Sequence, residues 1–179
     1  MSSVKDIKPP TAYRPDGVVE LYVLEYVGFG GFKFVNDGLC DTCLVTGVQY
    51  TGDLIRIDTP DGAKYSSSLQ SSIYTHKVEA FIGDISADMS SVLHTLTKRR
   101  VLPVFKTTTG RYLCFGYDAG ASVSYGNQTN DGLGSTIVIT AKSIHPVFEV
   151  EGQVLKELRM HSLVTVSYTH LTLPTNSLV

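Results

Sequence analysis

Short β-branched and aromatic runs, each stopped by a turn signal, constrain this chain more than any other feature. The first runs read VVELYVLEYV, FKFV, CLVTGVQY and LIRID; between and after them stand Gly28-Phe29-Gly30-Gly31, Asn36-Asp37-Gly38, Thr51-Gly52-Asp53 and Pro60-Asp61-Gly62. Such residues preset φ or tolerate φ > 0, so the pattern reads as antiparallel hairpins in a meander. Ser66 to Ser72 reads as a serine-rich connection. From Ile73 to Ile82 a strand resumes, with Tyr74, His76, Val78, Ala80 and Ile82 on one face and Lys77 and Glu79 on the other.

DISADMSSVLHTLTKRR carries the strong helix signal. Ile85, Met89, Val92, Leu93 and Leu96 recur at helical spacing, with Asp84 or Ser86 as N-cap and Asp88 in the first turn. Lys98, Arg99 and Arg100 close it, where cations favour the negative end of the helix dipole. The strand rhythm then returns: VLPVFK, a Thr109-Gly110 turn, YLCFGY, Asp118-Ala119-Gly120, ASVSY, a long polar loop from Gly126 to Ser135, TIVITAK and HPVFEV. Pro103 and Pro146 are expected near strand ends or on an edge. An amphipathic helix among strands buries its stripe on a sheet. The expected fold is therefore mainly β (α+β): an antiparallel β-barrel or sandwich flanked by one amphipathic helix at about 85–100.

The chain has 179 residues, enough for one domain with its own core, placed at 18–150. Fifteen basic and 17 acidic residues leave a net charge of -2, so no overall field marks a nucleic-acid or membrane partner. Residues 1–17 contain Pro9, Pro10 and Pro15 without periodicity and read as an extended arm, and the N-terminus lacks the apolar stretch of a secretory signal. No run is long and uncharged enough to span a bilayer. The three cysteines, Cys40, Cys43 and Cys114, fit a reducing cytoplasm better than a disulfide framework, which leaves the Asn127-Gln128-Thr129 sequon without meaning.

Candidate chemistry is sparse. Cys40-Asp41-Thr42-Cys43 is half of a zinc site, but no second ligand pair follows at a suitable spacing. A redox role wants the first cysteine at a helix N-terminus, whereas this pair leads into a strand. Cys40 and Cys43 are thus weak metal candidates, and ordinary small core residues are the expectation. In Gly28-Phe29-Gly30-Gly31 the third glycine of a phosphate-binding fingerprint falls on Lys33, and no helix opens there. His76 and His94 stand apart from any recognisable nucleophile motif and read as structural. Three cations at Lys98 to Arg100 are explained by the helix dipole and by solvation. No catalytic residue, no metal site and no cofactor is expected. The loop Tyr125 to Gly134 is long for a hairpin in a compact domain, and such loops are commonly binding surfaces.

The strand HKVEAFI, the helix SADMSSVLHTLTKRR and the segment VLPVFKTTTGRYLCFGYDAGASVSYGNQTNDGLGSTIVITAKSIHPVFEV together resemble the tail tube proteins of long-tailed bacteriophages, as in phages and prophages of gut Bacteroidales. Gly110, Gly116, Gly120, Asp131, Gly132 and the TIVIT strand match that family's rhythm of turns and strands; Cys40 and Cys43 are not called for by it. The resemblance implies a tail-tube barrel or sandwich and a virion structural protein made in the bacterial host cytoplasm. Its subunits would form homo-oligomeric rings, expected to be hexamers, which stack into a conduit. DNA would pass through the lumen without specific binding, and other tail proteins would be partners. Tyr125, Asn127, Asn130 and Asp131 become candidate oligomer contacts. A different head-tail or tail component and a small β-sandwich binding or adhesion module are the alternatives. The absence of tryptophan counts mildly against the latter.

The last stretch, VSYTHLTLPT, reads naively as a closing strand. Back-translated with one choice of codons it is GTC TCT TAT ACA CAT CTG ACG CTG CCG ACG, which resembles a transposase-adapter sequence of shotgun libraries. That likeness also requires Ser, Pro, Thr or Ala before Val166 and a valine followed by stop after a barcode; Thr165 and Val179 satisfy it. On this resemblance residues 165–179 are expected to be read-through and not native sequence. Residues 151–164, EGQVLKELRMHSLV, are expected to be a helical extension or a truncated linker.

Overall fold

The strand VVELYVLE (β1, Val18–Glu25) is apolar at successive positions, which a half-exposed strand is not. The computed structural model describes residues 17–35, 43–59, 62–83, 85–129 and 132–168. It gives the reason for the run: β1 is a wall with a hydrophobic cluster on each side. It pairs antiparallel with β7 (Val101–Thr107), from Glu25 opposite Val101 to Leu21 opposite Phe105 and on to Val18 opposite Thr107, with a register shift between Val18 and Glu20. Leu21, Val23, Val101 and Phe105 enter one cluster, and Tyr22, Leu24, Leu102 and Val104 enter the other.

One mixed sheet is built outward from this wall. Beyond β7 lie β8 (Tyr112–Cys114), β11 (Phe148–Val150), β3 (Leu44–Tyr50) and β2 (Phe29–Phe34), the last reached from β1 through a 3-10 turn at Tyr26–Gly28. Beyond β1 lie β5 (Ala63–Gln70), β6 (Ile73–Ile82), β10 (Gly134–Ser143) and β9 (Ser122–Gln128), with β4 (Leu54–Ile57) also paired to β1. Every ladder is antiparallel except that between β11 and β3. A lone bridge between Val101 and Ala121 brings the start of β9 back to β7. Among the described residues no ladder follows it, so the sheet curls without closing into a barrel. The fold is mainly β with two helices, an α+β arrangement consistent with a sandwich.

α1 (Ala87–Thr97) falls inside the expected helical stretch. Ser86 is its N-cap, accepting a hydrogen bond at its Oγ from Met89 N at 3.3 Å, and Asp88 sits in the first turn. Lys98 is the C-cap, and Arg99 turns away to pair with Glu25 on the wall. Of the apolar stripe, Leu93 and Leu96 are buried, each contributing about 1.5–3 kcal/mol relative to an exposed side chain. Val92 is only half covered.

α2 (Gly152–Tyr168) is a second helix beside the single strong one expected. Its first turns bury Val154 and Leu155 in the second cluster. Arg159 fastens it to the wall, with Nη2 3.0 Å from Glu20 Oε2 and its guanidinium 4.8 Å from the centre of the Tyr22 ring. Val166 to Tyr168, read naively as strand, fall in this helix, and residues 169–179 lie outside the described residues.

Two other expectations change. The serine-rich segment is strand and not connection, because β5 pairs along its whole length with β6, from Ala63 opposite Ala80 to Gln70 opposite Ile73. The polar loop expected from Gly126 to Ser135 is strand at both ends, where Gly126, Asn127 and Gln128 pair with Thr136, Ser135 and Gly134, which shortens the connection to 129–133. In both places a well-formed neighbouring strand imposes a register that local propensity does not. Pro103 is inside β7, but the β8 ladder begins only at Val104, one residue beyond it.

Candidate functional site

The residues singled out from sequence are not brought together. Cys40, Asn130 and Asp131 lie outside the described residues. Cys43 precedes β3 with φ 51°, is half-buried against the second cluster, and its carbonyl accepts from Glu149 N at 2.8 Å. Cys114 is fully buried in that cluster, where burial pushes its thiol far above its ordinary range and so away from thiolate chemistry. Among the described residues no group of three or more His, Cys, Asp or Glu side chains is placed to hold a metal ion.

Tyr125 and Asn127 are on β9, the last strand of the sheet. Tyr125 stands opposite Ile137 and packs half-buried on the first cluster. Asn127 stands opposite Ser135, whose Oγ donates to Asn127 Oδ1 at 2.8 Å. Both side chains therefore face the neighbouring strand's inner residues, and what β9 offers outward is its backbone edge.

A polar cluster that sequence reasoning missed sits at one margin of the first core. His76 is fully buried on β6, as its alternating pattern predicts. Its Nε2 lies 3.2 Å from the carbonyl of His145, which only accepts, so Nε2 carries the proton. Nδ1 is then bare and accepts from the Tyr65 hydroxyl at 2.9 Å. Burial lowers the pKa of His76, against smaller opposing contributions from the His145 carbonyl and the Asp118 charge.

Next to it Asp118 accepts from Ser143 Oγ at 2.5 Å and from Ile144 N at 3.2 Å, while His145 Nε2 stands 3.2 Å from its other oxygen. Ser143 Oγ in turn accepts from His145 N at 2.9 Å. Serine, histidine and aspartate are all present, but the serine hydroxyl points at the carboxylate and not at an imidazole. No base is positioned on a nucleophile. The cluster pins the link between β10 and β11 to the turn after β8, a positioning task. No local motif announces it, because Asp118 and Ser143 are 25 residues apart and meet only when β10 returns beside the turn.

The most exposed features are edges. β5 touches β1 at one pair only, Val18 with Ala63, and from Lys64 to Gln70 its outer edge has no ladder partner among the described residues. A cleft of about 870 Å³ opens where the strands part, lined by Val18, Lys64, Tyr65, Lys77, Glu79 and Thr108. Among the described residues β9 pairs on one side only, with β10, and α1 packs beside it. The β5–β6 hairpin runs out to a turn at Ser71 and Ser72, both at positive φ (50° and 64°), the conformation of a type I′ turn that asparagine and glycine favour. Leu69 and Ile73 flank that turn and are 58% and 45% exposed.

A groove of about 410 Å³ separates α1 from β4 and the end of β6. Its walls are Ile55, Ile57 and Ile82 on one side and Met89, Val92 and Leu93 on the other, with Arg56 and Asp58 paired at 2.9 Å on its rim. Among the described residues no helix is long and apolar enough to cross a membrane.

Comparison with protein-family models, with curated proteins and with solved structures finds no match to this chain.

Proposed function

We propose that the chain is a self-assembling structural subunit, and specifically a tail tube subunit of a long-tailed bacteriophage, working in the virion as one member of stacked rings around a DNA conduit. The observation that carries the reading is the pair of undefended sheet edges. Proteins that work alone blunt such edges with lysine, proline or bulges, because an open edge recruits other chains. Here β9 reads SVSYGNQ with no charge and no proline, and the open edge of β5 carries one lysine at its start, Lys64, and then reads YSSSLQ without charge or proline. An edge left uncharged over that length fits a chain whose edges are filled by its neighbours. Pairing β9 of one copy with β5 of the next is a head-to-tail contact, which closes into a ring or continues as a helix according to the rotation it imposes. The phage assignment rests further on the sequence resemblance of the segments from HKVEAFI to HPVFEV. Neither a nucleophile with its base nor a metal cluster among the described residues offers a competing site.

Sedimentation velocity over a wide concentration range, with negative-stain microscopy of the heaviest species, tests this. Rings or tubes of uniform diameter are the expected result. A protein that sediments as a monomer at every concentration ends the reading. Tyr125→Pro, which places a proline on the outer strand, is expected to block assembly while leaving a folded monomer.

A further inference from the structure

β5 outruns the strand it starts beside. Its one pair with β1 is Ala63 opposite Val18, and there β1 begins, while β5 continues to Gln70. β7 stands on the other side of β1, with Val18 opposite Thr107 and Thr108 N donating to the Gly17 carbonyl at 3.3 Å. The cleft between Lys64, Tyr65 and Ser66 on one side and Thr108 on the other is therefore the place a further stretch of β1 would occupy. Residues 1–16 precede β1 in the chain, and they join it at Gly17, which itself lines the cleft.

The backbone directions at this point fix which residues could bond to β5. The Val18 carbonyl faces β5, since it lies 3.1 Å from where a Cβ on Gly62 would stand, whereas the Gly17 carbonyl faces Thr108. Such directions alternate along an extended strand, so even-numbered residues before Val18 turn N–H and C=O to β5 and odd-numbered ones turn them away. Carrying the Val18–Ala63 register backward puts Asp16 opposite Tyr65, Arg14 opposite Ser67 and Ala12 opposite Leu69 as the bonded pairs.

The prolines of this segment agree with that register. Pro15, which has no N–H to donate, falls at an odd position where none is required. Pro9 and Pro10 fall opposite Ser72 and Ser71, past the end of β5, where no ladder would continue. Side chains agree as well. Ala12 falls beside the exposed Leu69, and Arg14 and Tyr13 fall beside Ser67 and Ser68, which are small and uncharged. Gly17, at φ 124°, supplies a bend that glycine makes without strain, at the point where the segment must leave β7 to follow β5.

We infer that in the isolated subunit residues 11–16 of the same chain add an antiparallel strand to the outer edge of β5, prolonging β1 through Gly17. The occupant is this segment because the chain is delivered into the cleft at Gly17, six residues reach from Tyr65 to Gln70, and every proline falls where a ladder bond is not required. An edge filled in this way is guarded against other chains. The pairing stands independently of the self-assembly reading above. Where that reading brings a neighbour's β9 to the same edge, the two strands compete, and residues 11–16 set the concentration at which assembly begins.

Residue-resolved amide hydrogen exchange on the whole chain, diluted until sedimentation finds it monomeric, tests the pairing. Like Ala63, the residues Tyr65, Ser67 and Leu69 turn their N–H groups to the outer edge. Those three amides are expected to exchange about tenfold or more slowly than in Arg14→Pro, which removes a bonded N–H from the segment. Tyr13→Pro, whose lost N–H faces away from β5, is expected to keep the protection. Fast exchange of the three amides in the wild type overturns the inference. Protection that Arg14→Pro leaves unchanged also overturns it, as does protection that appears only when concentration rises, because another chain then fills the edge. Assembly is a separate readout: Arg14→Pro is expected to form rings or tubes at about tenfold lower concentration than the wild type. An unchanged threshold in a variant whose β5 amides have become fast removes the competition. A wild type that is monomeric at every concentration removes the assembly reading, while slow exchange of the same amides still upholds the pairing.

Discussion

On one side of the β1–β7 wall the interior is mostly valine, isoleucine, leucine and alanine, with one buried histidine; on the other a buried centre of valine and leucine around Tyr22 and Phe148 is ringed by half-buried phenylalanine and tyrosine. Strand length accounts for the difference. β6 and β10 on the aliphatic side have ten residues each and pair over nine positions, so backbone hydrogen bonds hold that half in register. On the aromatic side β8 and β11 have three residues each. So few ladder bonds leave orientation to side chains, and rings supply it. Phe29 meets Phe32 edge-on at 4.8 Å, Phe34 meets Phe148 at 5.3 Å, and Phe32 stacks on Tyr117 at 5.5 Å. A half built on long ladders tolerates plain aliphatic filling, whereas a half built on short ones needs side chains with directional contact.

The sharpest test of that contrast is truncation on each side. Phe148→Ala is expected to cost about 3–5 kcal/mol, and Ile139→Ala on the opposite side about 2–5 kcal/mol. Urea unfolding should follow one transition for Ile139→Ala. For Phe148→Ala, near-UV circular dichroism and tyrosine fluorescence should lose structure before the far-UV signal of the long strands. Coincident transitions in both variants would show that the two halves melt as one unit and that ring contacts carry no separate role.

Acid distinguishes the halves next, since among the described residues the fully buried histidine, His76, lies on the aliphatic side. His76 is held below its ordinary pKa of 6.5, so the unfolded chain binds its proton first as pH falls. Stability contributed by His76 is complete above about 6.5 and declines below it, at up to about 1.4 kcal/mol per pH unit, until the folded state also protonates. The groups facing the ring are the Tyr65 hydroxyl, the His145 carbonyl, the rings of Tyr74 and Phe115, and the more distant Asp118. Urea midpoints between pH 7 and pH 5 should fall more steeply for the wild type than for His76→Gln; equal slopes would exclude this role.

Smaller effects test the supports of each half. Glu20 joins Lys106 on the wall at 3.2 Å and Arg159 on α2 at 3.0 Å, in partly exposed surroundings. Glu20→Ala should therefore cost only about 1 kcal/mol and speed hydrogen exchange in α2 without touching α1. In the hairpin of the aliphatic half, Ser71→Asn with Ser72→Gly should raise the urea midpoint, a gain of about 0.5–1 kcal/mol, because both positions already hold positive φ. A loss of stability there would mean that the serines contribute contacts beyond the turn.

Much of the aliphatic half is legible in the sequence. Alternation along β6 places His76, Val78, Ala80 and Ile82 inward, and the Ser86 cap and apolar stripe place α1. The double-sided burial of β1 and β7 is less so: VVELYV and VLPVF announce burial, but not that successive residues serve two cores. Ser66 to Gln70 carries no strand signal of its own and is strand only because β6 lies beside it. The exposed surfaces were readable in part. Tyr125 and Asn127 read as loop residues and lie on an edge strand, while the groove depends on β4 and α1 meeting across distant sequence. The Asp118 cluster depends on return geometry in the same way.

The bridge between Val101 and Ala121 has a consequence for how this sheet behaves under load. It consists of two amide hydrogen bonds, Val101 N to Ala121 O at 3.0 Å and Ala121 N to Val101 O at 2.7 Å. It is set by a turn in which Gly120, at φ 69°, leaves no room for a Cβ, which would stand 2.9 Å from Arg100 and Tyr26 atoms. Around the curl from β7 through β1, β5, β6 and β10 to β9 the ladders are long except at the single Val18–Ala63 pair between β1 and β5, so strain applied across the sheet concentrates at that pair and at this seam. The curl is a split cylinder fastened at two narrow points, so that the long ladders between them can shift as one piece at the cost of few bonds.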